Sequence, residues 1–244
     1  MSGNKQNLEK QCAEEVRQMR RELAELRREL EKERELRRLG QLELLQVQVD
    51  PHFLYNTLDA IVWLVEAGKQ QEAVEMLSQL SLFFRIALSK GHDIIRLKEE
   101  IDHTTSYMNI QQMCYGDSME YEIMLPKELE EVRIPKLTIQ PLVENALYHG
   151  VREKRGKSTI KVVCKEQDEN VLITVEDNGK GMRPSQKKEL ENALEEGGRA
   201  GFGAAAVHER IKLYFGKQYG IKIYSEYGEG TRVELRFPKE IRKG

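Results

Sequence analysis

Cysteine, tryptophan and proline are scarce in this chain of 244 residues, with three Cys, one Trp and six Pro. Cys12, Cys114 and Cys164 are too scattered for a disulfide framework, and none has the CxxC spacing of a zinc or redox site. There is no apolar run near the roughly 18 to 20 residues that cross a bilayer, and no basic, apolar and small-residue succession of a signal peptide. Net charge is lacking too. The 39 Lys+Arg against 41 Asp+Glu leave −2, so no bulk field draws nucleic acid or an anionic membrane. The expectation is a reducing, cytosolic setting without direct nucleic-acid contact.

Charge of both signs is plentiful but unevenly placed. Met1 to Gly40 hold 11 basic and 9 acidic residues. Among them Cys12, Val16, Met19, Leu23, Leu26 and Leu30 recur at alternating spacings of four and three, a heptad seam that requires a partner chain. The seam loses phase at Glu31 to Arg38 and resumes with Leu36, Leu39, Leu42, Leu45 and Val49. The pattern predicts a parallel dimeric coiled coil; a solvated helical linker is the plainer alternative.

Helix continues from Leu42 to Ala67, with Gly68 as its stop. A second periodic stretch runs through Ala73, Val74, Leu77, Leu80, Phe84 and Leu88 to a break at Lys90-Gly91. Two such helices form a hairpin, and two hairpins of a dimer make a four-helix bundle. A third helix runs from Leu97 to about Tyr115, after which the period changes to two. Met119, Tyr121 and Ile123 alternate with polar residues, as do Ile160, Val162 and Cys164; Val171, Ile173 and Val175; Ile221 and Ile223; and Val233, Leu235 and Phe237. These read as half-buried strands, with helical segments at Ile139 to Val151, Pro184 to Leu194 and Gly203 to Phe215. A sheet with one face under helices is an α/β sandwich. The fold class is therefore α+β multidomain: a coiled coil over 1–40, a helical dimerisation domain over 41–115 and a sandwich over 116–244.

Four segments carry chemistry. Asp177-Asn178-Gly179-Lys180-Gly181 directly follows a strand, where an Asp can accept a hydrogen bond from an exocyclic amine and glycines admit a flat ring or a phosphate. Gly201-Phe202-Gly203 opens a helix whose first N–H groups and dipole suit a phosphate. Gly228-Glu229-Gly230-Thr231 joins the last two strands. Each of these alone is as readily a turn. In Pro141 to Gly150, Leu142, Val143, Ala146 and Leu147 face a core at helical spacing, so Asn145 and His149, four apart, share another face. An amide oxygen at Asn145 suits Mg²⁺, or belongs to a surface residue; His149 meets a phosphate oxygen or serves as a cap. His92, His103 and His208 read as solvent or helix-end residues.

Taken in this order, the Asn-bearing helix, DxGxG, GxG and GxGT resemble the Bergerat-type ATP-binding fold of histidine kinases, gyrase-like and Hsp90-like ATPases. The resemblance implies ATP, with Asp177 on the adenine amine supported by Thr231 and with Gly179 and Gly181 beside the base. It further implies Asn145 on Mg²⁺, Gly201 and Gly203 at the phosphates, and Met182 to Ala200 as a mobile lid. Gln48-Val49-Asp50-Pro51-His52-Phe53-Leu54-Tyr55-Asn56-Thr57-Leu58 is similar to the phosphoacceptor signature of LytS/YesM-type sensor histidine kinases. Pro135, Gln140 to Ala146 and His149-Gly150 match the same family, over about Leu42 to Pro238. That likeness implies ATP-dependent phosphorylation of His52 and transfer to an aspartate of a receiver-domain regulator, often one with AraC-like DNA-binding output. It also implies a homodimer, and a membrane sensor preceding this cytoplasmic portion.

An exposed neutral imidazole can attack a γ-phosphate in line, and Pro51 removes a donor and opens or bends the helix around His52. Asp50 orients the ring, takes its proton, or caps the helix. Asn56, one turn beyond His52 on the same face, can position water for a phosphatase side activity. Two departures stand out. Ala204-Ala205-Ala206 replace an aliphatic residue and an Asn usual in the family, and Cys114 replaces a common basic residue. Two other readings follow from the same residues. One is a water-hydrolysing ATPase, which needs a carboxylate a turn before Asn145, where Pro141 stands. The other is a dimeric adaptor whose nucleotide site is crippled at Ala204 to Ala206.

Overall fold

The computed structural model describes residues 51–87, 93–151, 157–195 and 203–240, all within one compact unit. The heptad seam, Asp50, the Lys90-Gly91 break, His92, Gly201 and the end of the expected lid, 196–200, lie outside the described residues.

Helices α1 (Pro51–Glu66) and α2 (Gln70–Ala87) form the hairpin. Pro51 stands at the first position, where a missing N–H costs nothing. The chain turns at Ala67-Gly68, with the Lys69 N–H donating to the Leu64 carbonyl at 2.8 Å. Phe53, Thr57 and Leu64 of α1 are buried against Ala73, Met76, Leu80 and Phe83 of α2, residues spaced three, four and three apart. The sequence pattern had merged two stripes on α2. Val74 and Leu77, expected inside, are 59% and 53% exposed, and Tyr55, Leu58, Val62 and Val65 of α1 are further large apolar side chains left exposed.

A short strand β1 (Ile94–Arg96) leads into α3 (Leu97–Tyr115). The Glu99 carboxylate accepts the Arg96 N–H at 2.9 Å at the start of α3, and the Gly116 N–H donates to the Gln112 carbonyl at its end. Through α3 the hairpin joins the rest of the core. The Phe53 ring lies 4.9 Å from Phe83 and 5.0 Å from Tyr107, and Phe83 stacks on His103 at 4.4 Å.

The sandwich follows with β2 (Met119–Met124), β3 (Arg133–Pro135), β4 (Ser158–Gln167), β5 (Asn170–Asp177), β6 (Gly220–Glu226) and β7 (Gly230–Pro238). Five strands are ordered β2-β4-β5-β7-β6, with β2 parallel to β4 and the other pairs antiparallel; β1 pairs with β3 as a separate two-stranded sheet. Three residues each are too few to show a period, which is why β1 and β3 are not legible in the sequence. Inward residues Ile160, Val162, Cys164, Val171, Ile173, Val175, Leu235 and Phe237 are buried. They lie in one continuous hydrophobic core with residues of α4 (Gln140–Asn145), α5 (Pro184–Glu195) and α6 (Gly203–Phe215).

Two expectations are corrected here. The helix expected to run from Ile139 to Val151 is α-helical only to Asn145 and continues as a π turn over Ala146–Val151. Leu142, Val143, Ala146 and Leu147 do face the core, but the wider π turn breaks the four-residue repeat that was to align His149 with Asn145. His103 and His208 are buried, not at the surface. His103 lies against Phe83, and burial lowers its pKa to about 4. His208 accepts the Ile221 N–H at Nδ1, 2.9 Å away, and its ring occupies the space beside Gly220 where a Cβ would lie 2.6 Å from Nδ1.

Candidate functional site

Strand register builds the site. Asp177, the last residue of β5, pairs with Thr231 of β7, and Thr231 pairs with Ser225 of β6. Three polar side chains from adjacent strands thus line up at one end of the sheet. Asp177 is buried, and its Oδ1 accepts the Gly179 N–H at 2.8 Å, an Asx turn that carries the chain off the strand. Gly181 has φ +62°, and a Cβ there would lie 1.9 Å from the Glu226 carbonyl oxygen. Gly230, with φ +118°, would bring one to 2.1 Å from the Asp177 carbonyl oxygen. The sequence suggests that Gly179 and Gly181 make room for a ligand and that Gly230 belongs to a hairpin turn. The first demand on Gly181 and Gly230 is backbone meeting backbone, as the DxGxG loop closes on the β6–β7 hairpin.

That closure forms a cavity of about 190 Å³ whose lining includes Asn145, Asp177, Lys180, Gly181, Met182 and Thr231 over a floor of Leu142, Val175, Ile223 and Val233. Ala146 of the π turn, Gln186, Glu189 and Leu190 of α5, and Ala204 of α6 complete its lining. Gly203 opens α6 beside Asn145, where a Cβ would sit 3.7 Å from the amide nitrogen. So the structure brings together Asn145, Asp177, Gly181 and Thr231, with Gly179 in the adjoining turn and Gly203 alongside. The side chain of His149 lies outside the described residues.

His52 and Asn56 are elsewhere, exposed on α1. Neither lines this cavity. Asn56 instead borders a second cleft of about 500 Å³, with Trp63 of α1, Gln111 and Cys114 of α3, and Tyr148 of the π turn.

Three residues escaped the sequence reading. Glu100 on α3 is fully buried and accepts the backbone N–H groups of Leu137, Thr138 and Ile139 at 2.8, 2.7 and 2.7 Å, holding the segment that opens α4. Buried Arg210 of α6 donates to the Leu137 carbonyl and, at 3.4 Å, to Thr138 Oγ1. Burial pushes the Glu100 carboxyl up, against the opposing pull of the N–H groups and Arg210, and burial likewise lowers Arg210. This polar knot fixes α4, and with it Asn145, relative to α3 and α6. Its signal was faint but present, because Glu100 lies three residues after Leu97 and four before Thr104, on the buried stripe of α3. The third residue is Ser225, whose hydroxyl accepts the Met182 N–H at 2.9 Å and lies 2.9 Å from Thr231 Oγ1.

Chemically, the cavity offers an apolar slot closed at one end by a carboxylate and a hydroxyl, with an amide and a helix N-terminus at another. A base with an exocyclic amine and a phosphorylated tail fits such a donor set. Among the described residues no group of three or more His, Cys, Asp and Glu could hold a metal. A divalent ion at Asn145 would rest on an amide oxygen, phosphate oxygens and water, a coordination that Mg²⁺ accepts.

Comparison with known proteins agrees with this donor set. Residues 40–119 match the family model "Histidine kinase", and residues 131–241 match "Histidine kinase-, DNA gyrase B-, and HSP90-like ATPase". The chain is 37% identical over 198 residues to sensor histidine kinase YesM of Bacillus subtilis, covering 81% of this chain and 33% of the relative. The chain belongs to the LytS/YesM-type sensor histidine kinases. Sensor protein LytS of Bacillus subtilis is 31% identical over 218 residues, covering 88% of this chain and 36% of the relative. Sensor histidine kinase BtsS of Escherichia coli is 30% identical over 199 residues, 82% of this chain and 33% of the relative. The chain thus spans about a third of the length of the curated relatives it matches. A solved histidine kinase domain from Erythrobacter litoralis aligns over 84% of this chain and 94% of its own at a TM-score of 0.45 with 15% identity, too loose to build on. The first match ends at Met119, the first residue of β2, and the second begins just before β3. Among the described residues no helix is long and apolar enough to cross a membrane.

Proposed function

We propose that this chain is the kinase core of a two-component sensor, which phosphorylates itself on His52 from ATP and passes the phosphoryl group to an aspartate of a separate receiver domain. The observation that carries this reading is one cavity lined by Asn145, Asp177 and Thr231 in a chain that also presents an exposed His52 on its helical hairpin. The division of labour is a signalling coiled coil over 1–40, a dimerisation and phosphotransfer domain over 41–115 and an ATP-binding domain over 116–244.

In the proposed reaction Asp177 and Thr231 hold the adenine edge, with Gly179 and Gly181 beside the base and Gly201, Gly203 and His149 at the phosphates. Mg²⁺ at Asn145 would supply charge neutralisation. An imidazole nitrogen of His52 attacks the γ-phosphorus; the N–P bond forms as the P–O bond to ADP breaks, and the ring proton leaves to Asp50 or to water. Phosphoryl transfer needs positioning and electrostatic stabilisation more than covalent help, so placement of these groups suffices. Asn56, exposed one turn from His52, is suited to directing water in the reverse, phosphatase sense.

A homodimer accounts for the apolar side chains exposed on α1 and α2, which a second hairpin would bury as a four-helix bundle. The regulator would be a receiver domain, in the YesM-like branch one with AraC-like DNA-binding output, and the input a membrane-anchored sensor. A water-hydrolysing ATPase is less well supported, because the Glu144 carboxylate accepts the Gln140 amide at 2.8 Å and Pro141 stands one turn before Asn145. A non-catalytic adaptor rests on Ala204 to Ala206. Incubation with γ-labelled ATP separates the three. Acid-labile label that vanishes in His52→Ala supports the kinase, phosphate release without label the ATPase, and neither the adaptor.

A further inference from the structure

Ser225 has three polar neighbours and one proton, which two of them could accept. Its Oγ accepts the Met182 N–H at 2.9 Å, lies 3.0 Å from the Gly230 carbonyl oxygen and lies 2.9 Å from Thr231 Oγ1. A hydroxyl donates once and accepts twice. A carbonyl cannot donate, so the Ser225 proton must go to Gly230 if that contact is a hydrogen bond. The contact with Thr231 is then made by the Thr231 proton. All three contacts are satisfied together only in this arrangement. In the alternative, Ser225 donates to Thr231 and the 3.0 Å approach to Gly230 becomes two acceptors facing each other.

The arrangement has a consequence for the cavity. With its proton turned to Ser225, Thr231 presents lone pairs to the ligand, and its register partner Asp177, an acceptor when ionised, does the same. Two acceptors from paired strands match the two N–H groups of a primary amine and oppose a carbonyl oxygen. We infer that Ser225 is a specificity-determining positioning residue: by holding the Thr231 proton it makes the site select a purine with a 6-amino group over one with a 6-oxo group. This rests on the nucleotide reading above and deepens it, because Ser225 needs no contact with the ligand.

The test compares binding of ADP and inosine diphosphate to the whole chain by titration calorimetry, for the parent and for Ser225→Ala, Ser225→Cys and Ser225→Thr. Each variant is first checked for a parental circular-dichroism spectrum. The parent should prefer ADP by on the order of a hundredfold, since a polar edge that meets the wrong partner is strongly rejected. Removing the hydroxyl frees the Thr231 proton to donate to a 6-oxo group, so the preference should fall by about tenfold in Ser225→Ala. Ser225→Cys, a weak hydrogen-bonding stand-in of similar size, should do the same if the alanine variant does not fold, and Ser225→Thr should retain the parental ratio. Equal weakening of both ligands, with the ratio unchanged, overturns the inference and leaves the nucleotide site standing. A parent that binds neither diphosphate overturns both.

Discussion

Replacing Glu100 by glutamine changes one atom and should unsettle both stability and the nucleotide site. In the parent, Oε1 accepts the Thr138 and Ile139 N–H groups at 2.7 Å each, and Oε2 accepts that of Leu137 at 2.8 Å. A glutamine keeps its oxygen on the first two and turns its amide nitrogen to the third. One buried N–H is then left facing another donor, which costs roughly 1–3 kcal/mol, and the two surviving bonds lose their charge assistance. Arg210, itself buried, loses its counter-charge. Arg210 faces Glu100 without an ion pair between them, so the roughly 3–5 kcal/mol lost when a buried charge pair is broken from one side is an upper bound. Urea unfolding followed by circular dichroism should therefore show Glu100→Gln destabilised by about 2–4 kcal/mol with an unchanged slope. Because the knot fixes the start of α4, affinity for ADP should fall as well. Arg210→Met should couple to Glu100→Gln in a double-mutant cycle by more than about 1 kcal/mol. A loss below about 1 kcal/mol in Glu100→Gln would show that the carboxylate is replaceable and refute the reasoning.

His103 gives a pH dependence with a definite sign. Burial holds its pKa at about 4, below the ordinary 6.5, so between those values the unfolded chain binds a proton that the folded chain refuses. Stability falls as pH drops through that window. At pH 5 the histidine's share of the loss is about 2 kcal/mol, and the fall from pH 7 to pH 5 should shrink by that amount in His103→Phe; equal falls in both proteins would discount the site. Gly181→Ala places a Cβ 1.9 Å from the Glu226 carbonyl oxygen at φ +62°. It should cost more than about 2 kcal/mol in urea and abolish ADP binding; parental binding would show that the loop relaxes freely. Asn56→Ala should leave autophosphorylation intact and slow dephosphorylation of a phosphorylated regulator, and parental dephosphorylation would remove that role.

Much of the scaffold was legible because each element carries its own period. The inward residues of β4, β5 and β7 alternate without interruption, and α3 and α6 run close to the limits that their apolar positions suggest. The motif residues were legible as a set, since Asp177, Gly181, Asn145 and Thr231 converge on one cavity. What stayed hidden depends on tertiary partners. The π turn at Ala146–Val151 keeps Ala146 and Leu147 in the core exactly as an α-helix would, so no apolar position betrays it. His103 and His208 look like polar helix residues until Phe83 and Gly220 supply their niches. Glu100 sits in a charged run beside Lys98 and Glu99, and its partners lie 37 to 39 residues away. Ser225 matters through a proton whose direction is settled by Met182 and Gly230 together.

The central claim is that His52 receives the phosphoryl group of ATP. The most direct measurement is tandem mass spectrometry of peptides prepared at neutral pH after incubation with MgATP, where phosphohistidine survives. The account predicts a single ATP-dependent phosphoryl group on the peptide bearing His52, placed on that imidazole by the fragment series and absent from Asn145→Ala. A phosphoryl group on any other residue, or turnover of ATP with His52 unmodified, would contradict it.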